Sequence, residues 1–488
     1  MTAPSAPSAA AALARFGLGA RPDEPVPTRP QAWLLAQLPA FTPRPAAIAP
    51  TPNSAEAARA FRRYIADIRP FLAQNGLING QNAALMAPQA NPKAAPKNIE
   101  ASVRQQLRRQ YRDYYAAHVE ARFQSAVTTP TPFPERLVHF WANHFAVSAD
   151  KLATIGLAGT LEFEAIRPAL LGRFEDMLLA VARHPAMLLY LDQAQSIGPR
   201  SPIAQAAARR GRQRVPGLNE NLAREILELH TLGAEAGYTQ ADVQALAAAL
   251  TGWSVGGFVR RPIGFEAPDG AFVFQANWHQ PGPQTLLGQR YAQSGEAQGR
   301  AMLEALARDP RTARHLCTKL ARHFVADTPP PGLVDRLTDR WIETSGNLSA
   351  VYRTLVEAPE AWAPATKFKS PWEWLVSALR GVGAKTASDQ RYVAALTLLG
   401  QPVWRPGSPA GWDDVAASWA APDALMRRVE TASRLAQAIG DRIDARTLAP
   451  QILPDILSTA TAQAIARAES PAQALVLLLV SPEFMRRP

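Results

Sequence analysis

Two short stretches hold the densest sets of side chains in this sequence that are able to do chemistry. The first is Glu135-Arg136-Leu137-Val138-His139-Phe140-Trp141-Ala142-Asn143-His144-Phe145. On a helix, Glu135, His139 and Asn143 form one stripe, and Arg136, Phe140 and His144 form the next. Polar groups set among three large aromatics are candidates for burial, and a buried polar group must be hydrogen-bonded. Either His144 is a ligand or base in the wall of a site, or Asn143 and His144 satisfy loop carbonyls where the helix ends. The second role is the commoner one for an isolated histidine.

The second stretch is Asn219-Glu220-Asn221-Leu222-Ala223-Arg224-Glu225-Ile226-Leu227-Glu228-Leu229-His230-Thr231-Leu232-Gly233. Two ligands on one helix need i, i+3 or i, i+4 spacing. Glu225 and Glu228 meet that rule, whereas Glu228 and His230 point about 160° apart. One reading is a solvated face of Glu220, Arg224 and Glu228 in i, i+4 register. The other turns Glu225 and Glu228 toward an interior site and lets His230, past the helix end, face another segment. On that reading Glu225 and Glu228 are catalytic carboxylates and Arg224 orients one of them. His144, His230 and Glu225 are then candidate ligands for one divalent metal.

Three weaker constellations follow. His279 sits beside Trp278 in the loop Asn277-Trp278-His279-Gln280, as a site residue or as solvated surface. His315, Lys319 and His323 recur at i, i+4, i+8 with Asp327 beyond them, as an anion-binding face or, more simply, a wet one. Lys367 and Lys369 precede Pro371 and Glu373, where a helix N-terminus could receive an anion, or where they are ordinary surface. There is no phosphate-binding Gly-x-x-x-x-Gly-Lys-Ser/Thr loop, no Gly-x-Ser-x-Gly elbow and no dinucleotide fingerprint after a strand.

The elements that must position these residues read as helices. Apolar residues recur at three-to-four spacing from Val103 to Phe123 and from Phe163 to Val181, with Pro168 kinking or dividing the latter. Further helices are expected over 219–232, 240–251, 295–307, 311–325, 332–343, 348–357 and 371–382, with three or four shorter ones from 422 to 485. Thr239 with Asp242 and Asp309 with Pro310 mark helix starts, and Gly233 marks a stop. The one strand signal is Phe265 with Phe272-Val273-Phe274 about a Pro268-Asp269-Gly270 turn. The expected fold is therefore all-α, a large irregular multi-helix array with one small β-hairpin near 264–275. A main helical domain over 1–383, with mobile loops near 75–97 and 196–217, would carry a C-terminal helical extension over 384–488 packed on it.

Composition narrows the function classes. A chain of 488 residues with 47% hydrophobic and 19% charged residues buries a full core. Its one cysteine, Cys317, excludes an internal disulfide and argues against Cys-ligated metal clusters. Lys+Arg exceed Asp+Glu by 52 to 41, but the arginines are scattered along helices, so the basic balance reads as solvated surface and a nucleic-acid partner is not expected. No apolar run reaches the roughly 18–20 residues of a membrane span. The N-terminal residues show no secretory pattern, which points to the cytoplasm.

The sequence resembles the bacterial DUF1800 proteins, a family of unknown function. The resemblance is carried by Arg15-Phe16-Gly17-Leu18-Gly19, Glu135-Arg136 with Phe140-Trp141-x-Asn143-His144-Phe145, and Asn221-x-x-Arg224-Glu225-x-x-Glu228-Leu229-His230-Thr231-Leu232-Gly233. It continues through Gly237-Tyr238-Thr239-Gln240, Leu250-Thr251-Gly252-Trp253, Leu286-Leu287-Gly288 and Lys369-Ser370-Pro371-Trp372-Glu373, reaching about Gly383. It implies a helical protein and no particular reaction. It also implies a periplasmic alternative for location and, as a partner, an adjacent-gene protein of the alkaline-phosphatase/sulfatase-like type. Where the family tends to show His-Asp-x-Gly-x-Lys, this chain has His279-Gln280-Pro281-Gly282-Pro283-Gln284. Asn143, Trp253, His279 and Lys369 join the candidate site residues. Two functions are expected to compete: a hydrolase-type enzyme with a polar His/Glu site between helices, and a non-catalytic helper that binds the phosphatase/sulfatase-like partner.

Overall fold

Apolar residues at helical spacing wind most of this chain into helices, and the computed structural model describes residues 6–74, 97–211, 217–258, 267–364, 367–387 and 390–488. Two helices are buried on nearly every side and form the centre. In Pro132–His144 every residue but Asn143 is buried, and in Pro371–Gly381 every residue is. The charged and polar residues they carry inward must therefore find partners inside the protein. Pro371 occupies the first turn, and Ser370 and Glu373 form a reciprocal capping box, so this helix start is written locally. The amphipathic helix Pro310–Phe324 lies against the same centre, capped by Asp309.

Among the described residues three π-helical turns interrupt regular helix: Ala12–Phe16, Leu161–Ile166 and Ile226–His230. Each carries a buried polar residue, namely Arg15, Glu162 and His230. A π turn inserts one extra residue and so re-aims the side chains that follow, which is why such turns collect at functional sites. The segment expected to kink at Pro168 does divide there. The π turn Leu161–Ile166 runs into the short turn Arg167–Ala169, and helix resumes at Phe174–Arg183. Gly233 ends the Ile226–His230 turn at φ +94°, and a Cβ there would come within 2.8 Å of His315 Nδ1. The stop glycine therefore also permits close approach to the Pro310–Phe324 helix.

The strand content differs from expectation. Phe272–Phe274 is a strand, but it pairs antiparallel with Trp253–Val255, while 259–266 lie outside the described residues. The Pro-Asp-Gly turn signal was local, whereas the partner strand comes from upstream, with Trp253 opposite Phe274. Two further two-stranded pairs occur, Gln284–Leu286 with Gln289–Tyr291 and Lys367–Phe368 with Arg486–Arg487. The fold is thus mostly all-α with small antiparallel pairs. Of the two expected loops, 75–96 lie outside the described residues. The other, 196–217, contains the helix Pro202–Arg209, because Ser201 caps a short alanine-rich run. No helix among the described residues is long and apolar enough to cross a membrane.

Candidate functional site

The site is framed by buried ion pairs that tie together segments far apart in sequence. Arg136, in the Pro132–His144 helix, donates from Nε to the Gly17 carbonyl at 2.6 Å and from Nη1 to Glu373 Oε1 at 2.5 Å. Arg487 Nη2 stands 3.4 Å from the same carboxylate oxygen, and its Nη1 donates to the His323 carbonyl at 2.9 Å. Burial alone would raise the Glu373 carboxyl, but Arg487 and Arg136 outweigh it and bring it down to about 2. Glu135 is held by both Arg167 nitrogens at 2.8 and 2.9 Å. Arg122, paired with Glu162 at 2.8 Å, lies over the rings of Trp372 and Trp404 at 4.4 and 5.1 Å. Such pairs are costly to break because the abandoned charge stays buried.

Inside this frame lies a cleft of about 290 Å³. Its walls come from the Pro132–His144 and Pro310–Phe324 helices, the start of Pro371–Gly381 and the loop around 401–415. Phe140, Trp372, Trp404 and Trp412 supply apolar wall, while Arg136, Lys319, Arg322, His323, Glu373 and Asp414 supply charge and hydrogen bonds. At one wall His323 Nδ1 is 2.8 Å from Asp414 Oδ2. Burial would raise the Asp414 carboxyl, but His323 and Lys367 hold it far below its ordinary range. The acid is therefore ionised, so Nδ1–H donates and the lone pair resides on Nε2. Burial lowers the His323 imidazole more than Asp414 raises it. Its buried Nε2 has no hydrogen-bond partner.

Asp414 is itself fixed. Lys367 Nζ reaches Asp414 Oδ1 at 3.1 Å and Asp327 Oδ1 at 2.8 Å. Two residues before it, the Trp412 backbone is gripped by Asn143, whose Oδ1 accepts at 2.7 Å and whose Nδ2 donates at 2.8 Å. Gly411 is required at that contact. Its φ is +82°, and a Cβ would lie 2.3 Å from the Asn143 carbonyl oxygen.

At the opposite side of the cleft His144 accepts at Nδ1 from Lys319 Nζ, 3.0 Å away, and donates from Nε2 to the His230 carbonyl at 3.2 Å. Burial first, then Lys319 and His230, push its pKa well below normal. Lys319 is pushed by burial to about 8. The His144 and His230 rings are 6.0 Å apart, so the two distant segments do meet, with the π turn swinging His230 inward.

A family model described as a protein of unknown function, DUF1800, matches residues 11–486. The chain belongs to the DUF1800 family. That match runs through the C-terminal residues as well, beyond the limit near Gly383 where the motifs fade by eye. Within the matched C-terminal part of this DUF1800 chain, Asp414 lines the cleft. No curated protein and no solved structure matches it.

The sequence-derived candidates divide sharply in this DUF1800 chain. His144 and Asn143 line the cleft, but none of Arg224, Glu225, Glu228 and His230 does. Arg224 pairs with Glu220 at 3.1 Å, and Tyr238 donates to Glu228 at 3.5 Å, so these belong to a half-buried outer face. Burial and Glu228 raise the Glu225 carboxyl. The ligand set His144, His230 and Glu225 is not assembled. Among the described residues no three His, Cys, Asp or Glu side chains gather around a metal position, and His144 offers no free nitrogen while Lys319 holds Nδ1. Trp253 is buried in the Trp253–Val255 strand, and His279 Nδ1 sits 3.1 Å from the Thr251 carbonyl oxygen, both away from the cleft.

Lys367 and Lys369 are buried rather than surface residues. The Lys369 ammonium lies 4.2 Å over Phe484, and burial drives it to about 7. The stripe of His315, Lys319 and His323 is not a wet face, since Lys319 and His323 line the cleft. Sequence reasoning noted His323 without singling it out and missed Asp414 altogether. The available signal was a loop, Pro406-Gly407-Ser408-Pro409-Ala410-Gly411-Trp412-Asp413-Asp414, that sets two carboxylates beside a tryptophan.

Proposed function

We propose that this protein is a hydrolase-type enzyme whose active site is the cleft between the Pro132–His144 and Pro310–Phe324 helices, with His323 as general base. The observation that carries this reading is the His323–Asp414 pair, 2.8 Å apart at the cleft wall with Nε2 unpartnered. A neutral imidazole oriented by an ionised carboxylate is suited to remove a proton from water. The carboxylate then stabilises the imidazolium that forms, without accepting the proton itself. The activated water adds to the electrophilic centre, and the imidazolium returns the proton to the departing group. Lys367 keeps Asp414 charged and in place, and Asn143 is a positioning residue acting through the loop at Trp412.

This moves the catalytic role from Glu225, Glu228 and Arg224 to His323 and Asp414. No specific observation favours the helper reading or its phosphatase/sulfatase-like partner. The test is a panel of chromogenic carboxylic esters, phosphate monoesters and glycosides turned over by wild-type protein, His323→Asn and Asp414→Asn. Turnover of one class that falls about 10²–10⁴-fold in His323→Asn, in a protein that still folds cooperatively, is the expected result. Equal turnover by His323→Asn and wild type would remove the base from His323.

A further inference from the structure

The cations of the cleft are not equally compensated. Arg122 has Glu162 and Arg136 has Glu373. The carboxylate of Asp414 is engaged by His323 and Lys367. Lys319 and Arg322 remain. The polar contact of the Lys319 ammonium is the neutral His144 imidazole, and Arg322 donates from Nε to the Asp327 carbonyl at 3.2 Å. Neither forms an ion pair with a carboxylate among the described residues. The two lie one turn apart on the Pro310–Phe324 helix, and both line the cleft. His323, four residues after Lys319, shares that face.

From this geometry we propose that Lys319 and Arg322 form an anion subsite beside His323, so that the substrate carries an oxyanionic group, a phosphate or a carboxylate. The inference rests on the cleft being the active site and specifies what enters it. A half-buried ammonium that forms no ion pair, with Asp414 acting on it only at longer range, is unfavourable until an anion arrives. A lysine and an arginine one turn apart offer a point charge together with a planar fork, the pairing that grips an oxyanion. A group held there lies next to the imidazole that activates water, so binding and chemistry share one helix. The His144 Nδ1 contact fixes the ammonium at the cleft wall, which gives the Phe-Trp-x-Asn-His-Phe motif a second positioning role.

The test is calorimetric titration of the full-length protein with inorganic phosphate and, separately, with acetate in low-salt buffer, with tryptophan fluorescence as a parallel readout. Wild-type protein is expected to bind at least one of them saturably at one site. Phosphate alone identifies a phosphoryl group and acetate alone a carboxylate. Lys319→Met and Arg322→Met should each weaken binding about tenfold or more. Lys319→Arg should retain it, and exposed Arg434→Met should leave it unchanged. If Lys319→Met does not fold, Arg322→Met and Lys319→Arg still decide. Binding that persists in His323→Asn separates this subsite from the general-base reading, since an inactive but anion-binding cleft sinks only the latter. Absence of saturable binding of either anion, or wild-type affinity in Arg322→Met, overturns the subsite.

Discussion

His144 and His323 line the same cleft from two facing helices, and burial pushes both imidazoles below their ordinary pKa. Their neighbours give them different chemistry. His144 has its Nε2–H on the His230 carbonyl and its Nδ1 on Lys319, so no lone pair is left to take a proton. His323 has Nδ1–H on a carboxylate and nothing on Nε2. Both residues belong to helices whose periodicity is plain, and both stand beside phenylalanines. The difference lies in what the second nitrogen meets, and that partner comes from elsewhere in the chain. A histidine saturated on both sides by the protein holds structure together, whereas one oriented by an acid and open on the far side is suited to acid–base work.

The contrast can be broken most forcefully at the two imidazoles. His323→Asn, whose amide can still donate to Asp414, should cut turnover about 10²–10⁴-fold in a protein that still folds cooperatively. His144→Asn should instead lower stability by about 1–3 kcal/mol, because the Lys319 ammonium and the His230 carbonyl lose a buried partner. Reversed outcomes in urea unfolding and turnover would exchange the two roles. Next is the frame itself. Arg136→Met leaves Glu373 half-compensated and should lower unfolding free energy by about 3–5 kcal/mol.

The buried histidines near His144 also make a pH prediction. In the folded chain burial holds His230 at about 3, and burial with Lys319 holds His315 at about 4. In the unfolded chain each titrates near the reference value of about 6.5. Below that pH the unfolded state binds protons that the folded state refuses, so stability falls as pH falls from about 6.5 toward the folded values. For His230 the loss is about 1.5 kcal/mol between pH 6.5 and 5. Urea unfolding at those two pH values should show it, and His230→Phe should reduce it by that amount. Asp414 has the opposite sign of shift. Its folded value is depressed, so its contribution persists above about 3.8 and is lost only in stronger acid.

Asn143→Ala should cost about 1–2 kcal/mol, since it removes two hydrogen bonds to the Trp412 backbone. It should also lower turnover by loosening the loop that carries Asp414. A stability loss with unchanged turnover would detach that loop from the chemistry. Smallest of all, Arg224→Ala breaks an outer i, i+4 pair with Glu220, and it should change stability by less than about 1 kcal/mol without affecting turnover. A large loss of turnover there would restore the Glu225–Glu228 helix to the active site.

Much of the architecture was legible in the residues. The helices 132–144, 240–250, 310–324 and 371–381 follow from three-to-four spacing, from starts at Thr239 and Asp309 and from Pro371 with Glu373, because these signals are local. The meeting of His144 with His230 was legible only as an expectation from two polar runs inside apolar helices. What escaped was pairing at long range. Phe272–Phe274 took Trp253–Val255 as its partner, and the carboxylate that orients His323 lies 91 residues away in an irregular loop. Glu225 and Glu228 looked catalytic because acids at i, i+3 share a face, yet spacing does not say whether that face turns inward.

By itself the sequence determined that this chain is a helical array, that it belongs to its family, and which side chains have chemistry to offer. Each of those rests on residue type and short-range periodicity, which neighbouring residues settle among themselves. The tertiary structure alone decided which carboxylate orients His323, what each nitrogen of His144 meets and which cleft cations form no ion pair. Burial and pairing of charge depend on groups brought together from distant segments, and no local pattern along the chain encodes that meeting.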